Sequence, residues 1–115
     1  MKTILIHNPR CSKSREALAL LTDRGIDFEV IDYLKDGFKE KMLEKLPALL
    51  GLSFPDMIRE KEDIYKELGL KNKKLSDKEW VATLIKHPIL LERPILIHNG
   101  RAAIGRPVER LIEIL

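Results

Sequence analysis

Residues 3–33 carry the sequence TILIHNPRCSKSREALALLTDRGIDFEVIDY. The first five of these residues form a short apolar and β-branched run, which predicts a buried strand. Apolar residues at helical spacing follow from Ser12 as far as Gly25, where a glycine predicts the helix stop. A second apolar run at residues 28–33 predicts another strand. Strand, helix and strand in this order indicate a βαβ unit, so the two strands should be parallel.

The middle of the chain has a helical pattern. Apolar residues recur near helical spacing over residues 38–50, and Pro47 inside this stretch predicts a kink or a break. Ser76 and Glu79 form a capping-box pattern, which predicts the start of a further helix. Pro88 is expected to close that helix.

The C-terminal part predicts a hairpin and a last helix. Asn99-Gly100 is a strong two-residue turn signal between strands expected at residues 95–98 and 102–104. Pro107 is expected to start the last helix. The apolar stripe of that helix is predicted to contain Val108, Leu111, Ile112 and Leu115.

Strands from both ends of the chain should therefore form one sheet. Its order predicts an α/β protein with a thioredoxin-like fold: a mixed four-stranded sheet, with a helical insert between the βαβ unit and the C-terminal hairpin plus helix. We find no repeat or linker, so we expect a single domain spanning residues 1–115.

Composition limits the classes of protein to be considered. The chain has 115 residues, a net charge of +3, and apolar and charged fractions of 44% and 34%, which are typical of a globular domain. We expect a monomer. This charge does not require a nucleic-acid partner, and the apolar runs are too short for a membrane span or a signal peptide. One cysteine excludes an internal disulfide and predicts a reducing, cytoplasmic setting. The three histidines lack metal-ligand spacing, so we expect no metal site.

The chemistry of the chain centres on Cys11, which lies between a strand and the helix expected from Ser12. A helix N-terminus offers unpaired N–H groups and the positive end of the dipole, which favour a thiolate and an oxyanion brought to it. Lys13 and Arg15 add positive charge nearby, and Ser14 is placed to donate a hydrogen bond to the sulfur. These conditions lower a cysteine pKa and predict that Cys11 is a nucleophile. The alternative, a small buried residue packed at the helix start, does not fit these polar neighbours.

Serine at position 14 has a second consequence. The string Cys11-Ser12-Lys13-Ser14 lacks the second thiol of a C-x-x-C dithiol. Any disulfide chemistry at Cys11 must therefore be completed by an external thiol, such as glutathione or a partner protein.

Three arginines stand out by their context. Arg93 precedes Pro94 and a predicted strand, and in a thioredoxin-like fold this loop lies beside the cysteine, so Arg93 is predicted to face Cys11. A guanidinium group suits a tetrahedral oxyanion because it can bond two oxygens at once. Arg59 and Arg106 carry weaker signals, and a surface ion pair is the alternative for all three. Pro94 is a candidate cis-proline that would expose the backbone to a substrate thiol.

Four strings of the sequence resemble a known family over essentially the whole chain. They are Ile6-His7-Asn8-Pro9-Arg10-Cys11-Ser12-Lys13-Ser14-Arg15, Ile58-Arg59 with Tyr65-Lys66-Glu67-Leu68-Gly69-Leu70, His87-Pro88-Ile89-Leu90-Leu91-Glu92-Arg93-Pro94-Ile95, and Ala103-Ile104-Gly105-Arg106-Pro107. In this order and spacing they resemble the glutaredoxin-coupled arsenate reductase family, whose relatives include reductase-like proteins and Spx-type transcription regulators.

The resemblance implies an oxidoreductase that converts arsenate to arsenite. It implies that Cys11 is the arsenate nucleophile and that Arg59, Arg93 and Arg106 bind the oxyanion. It also implies that His7 influences the ionisation of the cysteine, although His7 taken alone fits a packed histidine equally well.

The resemblance also implies the partners of the reaction. Cys11 would form a covalent thiol-arsenate, glutathione would attack it as the reducing cosubstrate, and glutaredoxin would remove the glutathione before arsenite is released. No bound cofactor is implied. Such an activity belongs to arsenic detoxification in the cytoplasm.

Two alternatives stay open. A monothiol thiol–disulfide or deglutathionylating enzyme would use Cys11, Ser14 and Pro94 but would leave the three arginines unexplained. A non-catalytic Spx-like regulator would bind RNA polymerase instead. Regulators of that type typically carry a C-x-x-C switch, which the serine at position 14 rules out here.

Overall fold

A mixed four-stranded sheet organises the structure, a computed structural model that describes residues 3–115. The strands are β1 (Ile4–His7), β2 (Glu29–Asp32), β3 (Ile95–His98) and β4 (Arg101–Ile104), and they lie in the order β2-β1-β3-β4. β1 pairs parallel with β2 and antiparallel with β3, while β3 and β4 form an antiparallel hairpin. The predicted βαβ unit and the mixed sheet are thus confirmed.

Helices connect and follow these strands. The α-helices are α1 (Ser12–Asp23), α2 (Tyr33–Asp36), α3 (Glu40–Leu50), α4 (Asp63–Glu67) and α5 (Asp77–Lys86). Short 3₁₀ helices occur at Phe54–Met57, Leu70–Asn72, Pro88–Leu90 and Val108–Ile114.

The chain divides into two compact units. The first contains the described residues as far as Asp36 together with Arg93–Leu115, and it includes the whole sheet. The second contains Gly37–Glu92 and is helical apart from short connections and one isolated β-bridge. The second unit is therefore the insert that the sequence predicts between the βαβ unit and the C-terminal hairpin.

The core of the first unit fixes α1 against the sheet. Leu5 of β1 and Leu96 of β3 are fully buried together with Ala17 and Leu21 of α1 and Leu111 of the last helix. Residues three and four apart on α1 face the same way, which is why one stripe of this helix is buried. This packing holds the N-terminus of α1, and hence the residue that caps it, at the end of β1.

The turn at residues 99 and 100 closes the hairpin as predicted. Asn99 and Gly100 have φ angles of 48° and 76°, and His98 pairs with Arg101 across them. Positive φ at both central positions defines the turn that matches the twist of a two-residue hairpin.

In the second unit, Pro47 does not split the helix that contains it. We expected this proline to kink or split the helix, and the split is wrong because α3 runs from Glu40 to Leu50 without interruption. Proline removes the hydrogen bond from its own nitrogen, yet its carbonyl still accepts bonds from Gly51 at 2.8 Å and Leu52 at 3.1 Å. Packing supplies the remaining stability because Leu43 and Leu46 are fully buried.

The start of α5 follows its predicted capping box. The side chain of Ser76 accepts a hydrogen bond from the Glu79 backbone, and the Glu79 carboxylate accepts one from the Ser76 backbone. The helix then ends at Lys86, just before Pro88.

The last helix differs from its prediction in type and in buried face. It is a 3₁₀ helix from Val108 to Ile114, and Pro107 precedes it as the cap. A 3₁₀ helix repeats every three residues. Val108, Leu111 and Ile114 therefore share the face that packs on the core, whereas Leu115 of the predicted stripe is 37% exposed.

Candidate active site

Cys11 caps the N-terminus of α1. Its backbone is extended, with φ −94° and ψ 124°, and its carbonyl accepts the first helical hydrogen bond from Arg15 at 3.1 Å. Its N–H donates to the carbonyl of Asn8 at 2.9 Å, which closes a tight turn after β1. The thiol is thus directed to the positive end of the helix dipole, as predicted.

Four donors or charges act on the sulfur. Partial burial raises the pKa of Cys11, but the backbone N–H groups of Ser14 and Lys13, a side-chain hydrogen bond from Arg93 and the charge of Arg106 lower it further than burial raises it. The net effect is a pKa below the usual value of a cysteine. Because the thiolate is the nucleophilic form, these surroundings increase the reactivity of Cys11 near neutral pH.

Arg106 links the two loops that flank the sulfur. Its Nη2 lies 3.5 Å from the Cys11 sulfur, and its Nε donates to the backbone carbonyl of Arg93 at 2.8 Å. Arg93 itself is only 6% exposed. The structure therefore brings both arginines to Cys11, where the sequence predicted Arg93 from topology and Arg106 from a weaker context signal and the family resemblance.

Pro94 follows Arg93 through a cis peptide bond, as expected of the candidate cis-proline. The Arg106–Pro107 bond is also cis, which the sequence did not predict. The carbonyl of Pro94 accepts a hydrogen bond from the N–H of Gly105 at 2.8 Å. This bond joins the segment before β3 to the segment after β4, so the backbones that carry Arg93 and Arg106 are held side by side.

Ser14 and His7 support the loop around Cys11. The hydroxyl of the fully buried Ser14 accepts a hydrogen bond from the Asn8 N–H at 3.3 Å, and it is the backbone N–H of Ser14 that lowers the Cys11 pKa. The prediction that the Ser14 side chain would act on the sulfur is thus replaced by a backbone contact. Burial and the charge of Arg15 lower the pKa of His7 more than Asp32 and a hydrogen bond to the Ser14 backbone raise it, so this pKa lies below its usual value.

The side chains of Lys13 and Arg15 act elsewhere. Lys13 forms an exposed ion pair with Glu16 at 3.7 Å, and Arg15 donates to the carbonyl of Pro9 at 2.9 Å. Neither side chain is among the causes that shift the Cys11 pKa. Nearness in sequence misled the prediction here, because successive positions of a helix point in different directions.

Arg59 lies in the second unit, where carboxylates hold it. Its Nε donates to Glu62 at 3.1 Å, and its Nη1 lies 3.9 Å from Glu92. The backbone fixes this arrangement, since Arg59 donates to Leu90 at 2.7 Å beside the bridge between residues 58 and 91. The predicted role of Arg59 in binding an oxyanion stays a prediction.

Comparison with known proteins identifies the family of this chain. The family model of the ArsC family matches residues 6–114, which is nearly the whole sequence. The chain belongs to the ArsC family. The match includes the segments that carry Cys11, Arg93 and Arg106, and it confirms the family resemblance found in the sequence.

Relatives in the ArsC family are similar over nearly their full length. A protein named arsenate reductase from Neisseria meningitidis serogroup A is 48% identical over 96% of both chains. A protein of Escherichia coli K12 named uncharacterized protein YfgD is 45% identical over 96% of this chain and 94% of its own. The solved structure of an arsenate reductase from Vibrio cholerae has 47% identity and a TM-score of 0.93, covering 100% of this chain and 98% of that one. These neighbours confirm the thioredoxin-like fold.

Sequence reasoning missed two residues that shape this ArsC site. Asn8 accepts a hydrogen bond from the Arg10 N–H at 3.0 Å through its side chain and is only 4% exposed. Gly105 lies so close to Pro94 that an added Cβ would be 2.9 Å from the proline Cγ. The Asn-Pro pair was a visible signal for the first, since asparagine side chains commonly bond the backbone two residues on. No local signal marks the second.

Within residues 3–115, we find no group of three or more His, Cys, Asp or Glu side chains that could hold a metal ion. No helix in that same range is long and apolar enough to cross a membrane.

Proposed function

We propose that this ArsC-family protein is an arsenate reductase that converts arsenate to arsenite with thiols as the source of electrons. The observation that carries the proposal is the set of donors around the Cys11 sulfur. Two backbone N–H groups, Arg93 and Arg106 act on one atom. Donors arranged in this way stabilise a thiolate and a tetrahedral oxyanion beside it. A relative at 48% identity that bears the name arsenate reductase supports the same substrate.

The first step is the attack of the Cys11 thiolate on arsenic. An S–As bond forms and one As–O bond breaks, and the leaving oxygen departs as water after taking up protons. Arsenic stays pentavalent in the resulting thiol-arsenate. Arg93 and Arg106 offset the repulsion between the thiolate and the anionic substrate, because their positive charges lie at the sulfur.

The electrons come from external thiols. Glutathione displaces a second oxygen as water and leaves arsenic bonded to two sulfurs. The thiol of glutaredoxin then attacks the glutathione sulfur, so that an S–S bond forms, the bond from that sulfur to arsenic breaks, and its electron pair reduces arsenic to the trivalent state. Water finally cleaves the remaining S–As bond and releases arsenite and the Cys11 thiol. One cysteine is enough for this cycle because Cys11 is never required to form an internal disulfide.

The direct test is arsenate-dependent NADPH oxidation, coupled through glutathione reductase, glutathione and glutaredoxin. We expect turnover for the wild type and none for Cys11→Ser, while the exposed variant Arg101→Ala keeps wild-type activity. Failure of the folded, reduced wild type to respond to arsenate would reject the proposal. If that protein instead removed glutathione from a mixed disulfide, and Arg59→Ala and Arg106→Ala left that activity unchanged, the monothiol alternative would take its place.

A further inference from the structure

A groove of about 370 Å³ lies beside the loop that carries Cys11. Its size falls within the range of small-molecule binding sites. All of the groove belongs to the first unit. Its lining consists of Asn8, Pro9, Arg10, Asp32, Leu34 and Lys35.

The groove is located at the carboxyl ends of the two parallel strands. His7 and Asp32 are the last register pair of β1 and β2, and the lining residues follow directly after each strand. Ligands of open α/β sheets bind outside the carboxyl ends of the strands. The groove lies at that end of the sheet.

The wall next to Cys11 is held in one shape. Asn8 bonds the Arg10 N–H through its side chain at 3.0 Å, and Arg15 donates to the Pro9 carbonyl at 2.9 Å. The N–H of Cys11 donates to the Asn8 carbonyl at 2.9 Å, which ties the wall to the nucleophile itself. A wall that is already ordered needs little further ordering when a ligand binds.

The charges of the lining form a definite pattern. Arg10 and Lys35 are exposed cations, Asp32 is a half-buried anion, and Leu34 is a 41% exposed apolar side chain of the same lining. Within residues 3–115, no hydrogen bond or ion pair engages the side chain of Arg10 or Lys35. The groove thus offers two cations, one anion and an apolar contact to a ligand.

We infer that this groove binds glutathione as the reducing cosubstrate, an inference that rests on the proposed function. Glutathione carries two carboxylates and one ammonium, which complement Arg10, Lys35 and Asp32. An extended tripeptide covers about 10 Å and the γ-glutamyl link of glutathione lengthens it further, whereas the Cα atoms of Arg10 and Cys11 are about 3.8 Å apart as chain neighbours. A tripeptide held by Arg10 can therefore bring its thiol to the arsenic bonded to Cys11.

The kinetic test removes both cations in the double variant Arg10→Ala/Lys35→Ala. We expect KM for glutathione to rise about five- to tenfold, the effect of two partly exposed charge pairs, with KM for arsenate nearly unchanged. The control Arg101→Ala/Arg110→Ala removes the same charge from exposed positions outside the groove and should leave KM for glutathione unchanged.

A binding test separates this inference from the proposed function, because it needs no turnover. S-methylglutathione has no free thiol, and its binding can be followed by the amide NMR signals of Asp32, Leu34 and Lys35. We expect shifts of these signals in the wild type, weaker binding at high salt, and weaker binding in the double variant. Such binding in a wild type that does not reduce arsenate would support the groove and reject the proposed function.

Two other results would reject the inference that glutathione binds in this groove. A wild type that reduces arsenate, with a double variant whose KM for glutathione is unchanged, would leave the proposed function intact and reject this binding site. A rise confined to the KM for glutaredoxin would show that the cations bind the partner protein, which also rejects the inference.

Discussion

Arg106 and Arg59 are both held by specific contacts, but those contacts differ in charge. Arg106 donates to a neutral backbone carbonyl and points its Nη2 at the Cys11 sulfur. Arg59 donates to the carboxylate of Glu62 and lies near that of Glu92. A backbone carbonyl orients a guanidinium without adding a negative charge beside it, whereas a carboxylate orients it and also offsets its charge. The contacts of Arg106 therefore lower the pKa of Cys11, whereas those of Arg59 hold its side chain in a defined position.

The largest effect is expected from removing the Arg106 guanidinium, which lies at the Cys11 sulfur. We expect Arg106→Ala to reduce kcat/KM for arsenate by about 100-fold, the typical cost of removing one donor to a developing oxyanion. The pKa of Cys11 should rise, because the charge of Arg106 is among the causes that lower it. Arsenate kinetics and the pH dependence of iodoacetamide alkylation measure the two effects. The exposed control Arg110→Ala should match the wild type, and an equally small effect at Arg106 would contradict the assigned role.

Gly105→Ala tests whether the placement of Arg106 depends on close packing. The new Cβ would lie 2.9 Å from Cγ of Pro94 and 3.1 Å from Cγ of Leu111, so neighbouring atoms must move. Overpacking of this kind costs about 1–3 kcal/mol, which urea denaturation measures. We also expect a raised Cys11 pKa in the alkylation profile. The control Gly37→Ala is strained only by its φ of 72° and should lose stability without that change; identical profiles for the two variants would refute the prediction.

The pH dependence of stability tests the charge at the sulfur without catalysis. The pKa of Cys11 is lowered in the folded protein, so folding favours the thiolate. Its contribution to stability should therefore be absent below the folded pKa, grow as pH rises, and be complete above the usual cysteine value of about 8.5. Urea denaturation of the wild type and Cys11→Ser over a pH series measures this. A stability difference that is constant or falls with rising pH would be inconsistent with a stabilised thiolate.

Glu62→Gln tests whether the carboxylate that pairs with Arg59 limits the effect of its charge on the substrate. If Arg59 binds the oxyanion as the family resemblance implies, removal of one counter-charge should lower KM for arsenate by about two- to threefold, the effect of a partly exposed ion pair. Glu67→Gln removes an exposed carboxylate of the same unit and should leave KM unchanged. Equal KM values for Glu62→Gln and the wild type would argue against a role of Arg59 in the substrate complex.

Lys13→Ala should have the smallest effect. The side chain forms an exposed pair with Glu16, so its loss should change the free energy of unfolding by less than about 0.5 kcal/mol. The Cys11 pKa should not change, because the backbone N–H that contacts the sulfur remains. Thermal unfolding and the alkylation profile provide the measurements. A clear rise in the pKa of Cys11 would show that the lysine charge does reach the sulfur.

Features of the fold with local causes were predictable from the sequence. The β1-α1-β2 unit follows from two apolar runs and a helical stripe, and the hairpin follows from Asn99-Gly100. Pro47 and the last helix were predicted less well, because tertiary packing decides both. The buried leucines of α3 outweigh one missing hydrogen bond, and the three-residue period of a 3₁₀ helix buries Ile114 in place of Leu115.

The nucleophile of the candidate site was predictable from the sequence, but the contacts that bring charged groups to it were not. Cys11 at a helix start is a local feature, whereas the bond of Arg106 to the Arg93 carbonyl depends on the pairing of β3 with β4. Sequence proximity favoured Lys13 and Arg15 as the activating charges. The charged side chains that act on Cys11 are instead Arg93 and Arg106, which lie far from it in sequence. No spacing rule within one helix can reveal such contacts.

The contact between Arg106 and Cys11 joins residues 95 positions apart. During synthesis the ribosome therefore adds the thiol 95 residues before the guanidinium that activates it. Until β3, β4 and the segment after them have folded, the cysteine lacks both Arg93 and Arg106 as neighbours. A nascent chain thus lacks two of the four groups that lower the Cys11 pKa, and the susceptibility of its thiol to oxidants increases when the sheet is complete.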